Sequence, residues 1–143
     1  MKKISPLLYS RNYVKLVDQR KLPCELRYVR CRTAKDIFTA IRTMKIRGAP
    51  AIGVAAAFGV SLAAQSSTKK DMKAFIADIE NTIRYLSQSR PTAVNLFWAL
   101  EAMKKEVAMN AHRSLTQLKE CLYKKAVAIM RDDQARSKAM GSF

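Results

Sequence analysis

Histidine occurs once, as His112, and cysteine three times, as Cys24, Cys31 and Cys121. No C-x-x-C spacing joins the thiols. A zinc site and a disulfide framework are therefore not expected, and three reduced structural thiols in a cytosolic protein are. Glycine and proline occur only four times each, which excludes a disordered tail and suits an ordered, helix-rich globular chain. No apolar run behind Lys2 and Lys3 is long enough for the core of a secretory signal. The apolar stretch Ala51 to Ala64 spans fourteen residues, too few to cross a membrane, and reads as a buried core helix. Internal repeats, linkers and low-complexity tracts are absent, so residues 1–143 read as one domain.

Acidic residues are the other shortage, 11 against 27 Lys and Arg, for a net charge of +16. The excess is uneven. Residues 1–47 carry 13 basic and 3 acidic side chains, residues 48–90 carry 5 and 3, and residues 91–143 carry 9 and 5. A basic region of this kind can bind nucleic acid through counterion release, attract small phosphorylated substrates, or face an acidic partner. Charge alone does not choose among these. Regular aromatic interleaving of the kind found in single-strand binding grooves is missing from it, which argues against nucleic acid.

The chain opens with short β-prone runs, Leu7–Tyr9, Tyr13–Val17 and Leu26–Arg30, separated by turn-like residues. Alternation in the third sets Leu26, Tyr28 and Arg30 against Arg27 and Val29, and an antiparallel meander over about 7–31 is expected. From Thr33 the period becomes helical. Thr33 is a good N-cap with Asp36 three residues on, and Ile37, Ala40, Ile41 and Met44 form one apolar face. After Ala51–Ala64 come three amphipathic helices. Thr68 with Asp71 suggests a capping box for the first, with Met72, Phe75, Ile76, Ile79, Ile83 and Leu86 on one face. Pro91 or Thr92 opens the second, with Leu96, Phe97, Leu100, Met103 and Val107 inward. Ser114 with Gln117 caps the third, which carries Leu115, Leu118, Leu122, Ile129 and Met130. The expected fold is α+β: a small N-terminal antiparallel β-meander followed by a helical bundle over about 33–143.

Two stretches carry candidate chemistry. Arg47-Gly48-Ala49-Pro50-Ala51-Ile52-Gly53 places a planar donor fork and a glycine ahead of a helix whose first turn contains proline. Helix N-termini favour phosphate or carboxylate, but Arg-Gly-x-Pro also describes ordinary turns. Arg90-Pro91-Thr92 repeats the logic and could share an anion with Arg47; an ordinary capped helix start is the competing reading. Trp98 and the other aromatics fall mostly on apolar stripes, which favours core packing. His112 reads as a solvated loop residue, Cys24 and Cys31 have no evident activating partner, and Asp132 and Asp133 read as surface carboxylates. No convincing general acid–base pair is present.

With these residues in hand, the chain resembles the N-terminal domain of the S-methyl-5-thioribose-1-phosphate isomerases, also called methylthioribose-1-phosphate isomerases. The resemblance runs from Leu16-Val17-Asp18-Gln19-Arg20-Lys21-Leu22-Pro23 through Ala40–Ile46. It is strongest at Arg47–Gly59 and at Ser89-Arg90-Pro91-Thr92-Ala93-Val94-Asn95-Leu96. It implies that Arg47, Gly48, Ala49 and Arg90 bind the sugar phosphate. It further implies a cofactor-free aldose–ketose isomerisation of 5-methylthioribose 1-phosphate to 5-methylthioribulose 1-phosphate in methionine salvage. A homodimer is implied for the full-length protein as well, and the residues themselves lead to the expectation of a cytoplasmic protein with no metal site, no membrane span and no nucleic-acid partner. The family's catalytic cysteine and aspartate belong to a C-terminal Rossmann-like domain, so no catalytic residue is expected in this chain, which looks truncated and inactive alone. Near its end Asp132-Asp133 and Met140-Gly141 fit the family tail, but Ser137 stands where asparagine is expected. The alternative within the superfamily is a non-catalytic regulatory or scaffold module of the initiation factor two B alpha, beta and delta type; the full Arg47–Gly53 string favours the isomerase.

Overall fold

The computed structural model describes residues 7–18, 20, 21, 24–46 and 48–140. Three strands, β1 (Leu7–Tyr9), β2 (Val14–Val17) and β3 (Tyr28–Cys31), precede five helices: α1 (Ala34–Arg42), α2 (Ala49–Ser66), α3 (Met72–Ser87), α4 (Val94–Asn110) and α5 (Leu115–Met140). The architecture is the expected α+β one. The sheet is an antiparallel meander in the order β1-β2-β3, with Leu7 opposite Leu16 and Leu16 opposite Val29.

That register decides which side of β3 faces in. Val14 pairs with Cys31, and both are buried in the core. Arg30 is exposed and Leu26, ahead of the strand, is 49% exposed. The expected alternation of Leu26, Tyr28 and Arg30 against Arg27 and Val29 holds, and the structure adds which row is inner: Val29 and Cys31 face the core. Strand parity has period two, so a single pairing with a buried row of β2 settles every residue of β3. Burial pushes the Cys31 thiol up to about 12, with Asp36 adding to the rise and Lys45 opposing it, which leaves the thiol protonated and inert at neutral pH.

Helix α2 is the axis of the bundle and packs against each of the other four helices. Residues 52–62 are all buried, as expected of a helix apolar on every side. Its small residues permit close approach; a Cβ at Gly59 would lie 3.0 Å from Leu86 Cδ1 and 3.3 Å from Ile37 Cγ2. On the sheet side the Phe58 ring meets Tyr9 with centroids 5.5 Å apart. The Arg11 guanidinium ties the β1–β2 turn to α5 by pairing with Glu120 and lying 4.6 Å from the centroid of Tyr123.

Helix caps follow local chemistry with two corrections. Thr33 accepts from the Asp36 N–H, and Ser114 and Gln117 form a reciprocal box. The third helix, however, starts behind Asp71, which accepts from the Ala74 N–H, and Thr68 is not its cap. An ionised carboxylate three residues later in the chain is the stronger acceptor for a helix N-terminus. The fourth starts at Val94 behind Ala93. Pro91 and Thr92 instead form a turn closed by Ala93 N–H donating to Arg90 O at 3.0 Å.

Two aromatics also leave their expected place. Phe97 and Trp98 are 45% and 53% exposed, because the buried stripe of α4 is Leu96, Ala99, Leu100, Met103 and Val107. At 100° per residue, positions 97 and 98 rotate off that stripe.

Helix α1 ends on a strained residue. Met44 has φ +68, the left-handed region normally given to glycine after a helix, and its N–H donates to Ile41 O at 3.2 Å. A β-carbon there costs about 1 kcal/mol, and the Met44 side chain is 39% exposed, so little burial offsets the strain. Met44→Gly is expected to stabilise the chain by about 1 kcal/mol, read as a higher urea midpoint at unchanged slope; an equal or lower midpoint contradicts it.

Candidate anion-binding site

Two helix N-termini meet at one end of the bundle. A Cβ at Gly53, one turn into α2, would lie 2.9 Å from the backbone oxygen of Asn95 and 3.6 Å from the Ala99 Cβ. Asn95 is the second residue of α4. Only a hydrogen at position 53 permits this contact, and it sets the first turns of α2 and α4 side by side.

These two helices differ from the other three. Helices α1, α3 and α5 are capped by the side chains of Thr33, Asp71 and Ser114. Neither α2 nor α4 has a side-chain cap, and neither has an acidic residue in its first turn. Their intrahelical bonding begins at the N–H groups of Ile52 and Phe97, which donate to Gly48 O and Ala93 O. The earlier donors, Ala51 on α2 and Val94, Asn95 and Leu96 on α4, have no intrahelical acceptor. Two positive dipole ends thus converge, with no acidic residue in the first turn of either helix.

Gly48 is the N-cap of α2, with φ +90 and ψ 130, and nothing lies within 4 Å of where its Cβ would be. Backbone conformation, not space, requires glycine there. Ala49 is the first residue of α2 and the exposed Pro50 the second. Arg47 lies outside the described residues. Arg90 is half-buried, in a loop fixed from beneath by buried Ser89, whose hydroxyl donates to Leu86 O at 2.7 Å. Among the described residues Arg90 has no carboxylate partner. Gly48 and Ala49 at the start of α2 and Arg90 on the loop ahead of α4 thus flank the contact of the two helices at Gly53 and Asn95.

Three further residues, all inside the stretches that carry the family resemblance, were given no role by the sequence. Arg42, at the end of α1, donates from Nη1 to Gln88 O at 3.4 Å and adds a cation beside the Arg90 loop. Asp18 is buried at the end of β2 and accepts from Arg20 three times, at 3.0 Å from the backbone N–H and 3.2 Å each from Nε and Nη2. Those bonds, chiefly the Arg20 guanidinium, hold its carboxyl below the usual carboxylate range, and the charge of Lys45 acts in the same direction. Lys45 belongs to the α1–α2 connection that leads to Gly48. The signal that could have found Asp18 is its position, an acid directly after the apolar run Val14–Val17.

A lowered folded pKa means stability that is present above the unfolded carboxyl value, near 3.9, and lost as pH falls through the folded one. Asp18→Ala is expected to cost about 2 kcal/mol at pH 7 and to flatten the acid limb of the stability curve. A variant that follows the wild-type acid limb would show that Asp18 does not carry it.

The remaining candidates lie elsewhere. His112 is exposed in the α4–α5 turn, Cys24 is exposed and Cys121 half-buried. Asp132 is exposed, whereas the half-buried Asp133 lines a cavity of about 90 Å³ with Leu7, Leu16, Ala51, Val54 and Met130, beside the first turn of α2. Among the described residues no three His, Cys, Asp or Glu side chains gather as a metal site, and no helix is long and apolar enough to cross a membrane.

Comparison with known proteins matches residues 45–143 to the initiation factor 2 subunit family. The chain is 44% identical over 138 residues to a 5-deoxyribose 1-phosphate isomerase of Moorella thermoacetica, covering 96% of this chain and 39% of that one. It is 41% identical over 143 residues to a methylthioribose-1-phosphate isomerase of a Thermoanaerobacter species, covering 100% and 41%. Among solved structures, 5-methylthioribose 1-phosphate isomerase from Pyrococcus horikoshii superposes with a TM-score of 0.87 at 36% identity, covering 92% of this chain and 37% of that one. The delta subunit of translation initiation factor eIF-2B from A. fulgidus gives 0.89 at 30% identity, covering 99% and 41%. The chain thus spans about two-fifths of the length of these relatives.

Proposed function

We propose that this chain, which belongs to the initiation factor 2 subunit family, is the sugar-phosphate-holding part of an aldose–ketose isomerase acting on 5-methylthioribose 1-phosphate. The observation that carries the reading is the meeting of two uncapped helix N-termini at Gly53 and Asn95, with Arg90 on the adjoining loop. Arg47, Gly48, Ala49 and Arg90 are the residues assigned to the substrate. The phosphate would take the free N–H groups and the arginine forks, an arrangement that suits a dianion.

The reaction needs more than this. An anomeric phosphate prevents spontaneous ring opening, so an acid must protonate the ring oxygen before hydrogen moves between C2 and C1. The set Gly48, Ala49, Arg90 and the two helix ends supplies donors and positive charge, but no carboxylate or thiol to exchange a proton. Catalysis is therefore assigned to the part of the relatives' length that this chain does not span. No cofactor enters the scheme, and a cytoplasmic homodimer is the expected form of the longer protein.

The similarity to the A. fulgidus subunit supports a second reading, a binding module without turnover. The test uses Trp98, the sole tryptophan, which is 53% exposed and one turn into α4. Titration with 5-methylthioribose 1-phosphate is expected to change its emission saturably and to be reversed by inorganic phosphate, with no product formed by the chain alone. A polypeptide continuing this chain to the relatives' full length is expected to isomerise the sugar. Absence of saturable binding overturns the sugar-phosphate reading; binding without turnover in the long polypeptide selects the module.

A further inference from the structure

Three cations of the basic excess of residues 1–47, Lys15, Arg30 and Arg32, lie on or beside the outer face of the β-meander. Of the three acids in that region, Asp18 is bound by Arg20, Glu25 by Arg27, and Asp36 accepts the backbone N–H of Arg32 and lies in the Thr33 cap. None is left for the outer face of the sheet. There Lys15 lies directly opposite Arg30, a like-charge pair of the kind that destabilises a sheet. Both cations lie against the Tyr13 ring, Arg30 at 4.6 Å and Lys15 at 5.9 Å from its centroid. Arg32, just past the end of β3, is exposed. Leu8 pairs with Lys15 from the other side and is 44% exposed. None of Lys15, Arg30 and Arg32 forms an ion pair among the described residues, and all eleven acids of the sequence are described.

We propose that the outer face of the β-meander, built on Tyr13, Lys15, Arg30 and Arg32 with Leu8 at its edge, docks an acidic polypeptide segment that carries carboxylates at alternate positions. Extended chain repeats side-chain direction every two residues, about 6.6 Å. Carboxylates at positions i and i+2 therefore share one face of the peptide at a spacing that suits Arg30 on β3 and the exposed Arg32 just past its end. The carboxylates would relieve the repulsion between Lys15 and Arg30. Single-stranded nucleic acid fits this surface less well, because stacking needs free aromatic faces and Arg30 and Lys15 already lie against Tyr13. An apolar side chain such as Leu8 at the edge suits a peptide rather than a phosphate backbone.

The test measures anisotropy of a fluorescein-labelled peptide of ten alternating Glu and Val residues against the 143-residue chain, with labelled oligo(dT) in parallel. The wild type is expected to bind the peptide, and the pair Lys15→Glu/Arg30→Glu to weaken it at least tenfold. The pair Lys70→Glu/Lys73→Glu reverses the same number of charges at exposed positions of the α2–α3 loop and α3, and is expected to weaken it less than threefold. Lys15→Glu alone places opposite charges across the β2–β3 pair and is expected to raise the melting temperature while lowering peptide affinity, so a loss of binding cannot be ascribed to unfolding. No peptide binding, equal losses in the two reversed pairs, or tighter binding of oligo(dT) with the same dependence on Lys15 and Arg30 overturns the proposal.

Discussion

Gly53→Val is expected to destabilise the chain by about 3 kcal/mol, at the upper end of what overpacking costs, and to abolish sugar-phosphate binding. The β-carbon alone would stand 2.9 Å from the Asn95 carbonyl oxygen, a backbone atom that cannot rotate aside. Relief requires α2 and α4 to separate, and both are held by the core through Ile52, Leu96 and Ala99. Gly53→Ala is a graded control. Its clash is the same atom, but alanine recovers about 1 kcal/mol of helix propensity, so a smaller net loss is expected while binding still falls. Urea denaturation reads the first effect and Trp98 emission under ligand titration the second. A valine variant that is as stable as the wild type and binds as tightly would show that the α2–α4 approach is not what assembles the site.

Arg47→Ala and Arg90→Ala are each expected to weaken binding of 5-methylthioribose 1-phosphate by about 1.5–3 kcal/mol, the range for a charge-assisted hydrogen bond, or roughly 10- to 150-fold. Arg90 has no carboxylate partner among the described residues and stands on a loop anchored by buried Ser89, so its removal leaves no orphaned acid behind. Stability is expected to stay within about 0.5 kcal/mol. If both guanidinium groups grip one phosphate, the double variant departs from the sum of the singles, and the coupling measures their proximity. Arg90→Lys separates charge from geometry, since an ammonium keeps the charge and loses the fork. Wild-type affinity in both alanine variants would remove these residues from the site.

How much of this was legible beforehand follows the range of each interaction. Thr33 with Asp36 and Ser114 with Gln117 act across three residues, and both caps form. Thr68 was a plausible cap by the same local rule, yet Asp71 takes the role, since two acceptors close in sequence compete and the carboxylate wins. The buried stripe of α3, with Phe75, Ile79 and Leu86, is a matter of period. Phe97 and Trp98 look equally apolar in sequence, and their exposure is a matter of which way α4 is rotated against α2. At the candidate site, Gly48 and Arg90 were visible as motif residues, whereas Arg42 joins the Arg90 loop only through its bond to Gln88 O, 46 residues away in sequence.

The sequence by itself determined the order of elements, the meander before the helices, an apolar central helix and the concentration of positive charge ahead of it. These rest on local propensity, periodicity and composition, which act within a few residues. The tertiary structure alone decided that the two uncapped helices begin side by side, that β3 turns Val29 and Cys31 inward, and that Lys15 and Arg30 oppose each other on the outer face of the sheet. The reason is packing. A glycine at position 53 and a carbonyl at position 95 become one feature only when close-packing drives their helices into contact.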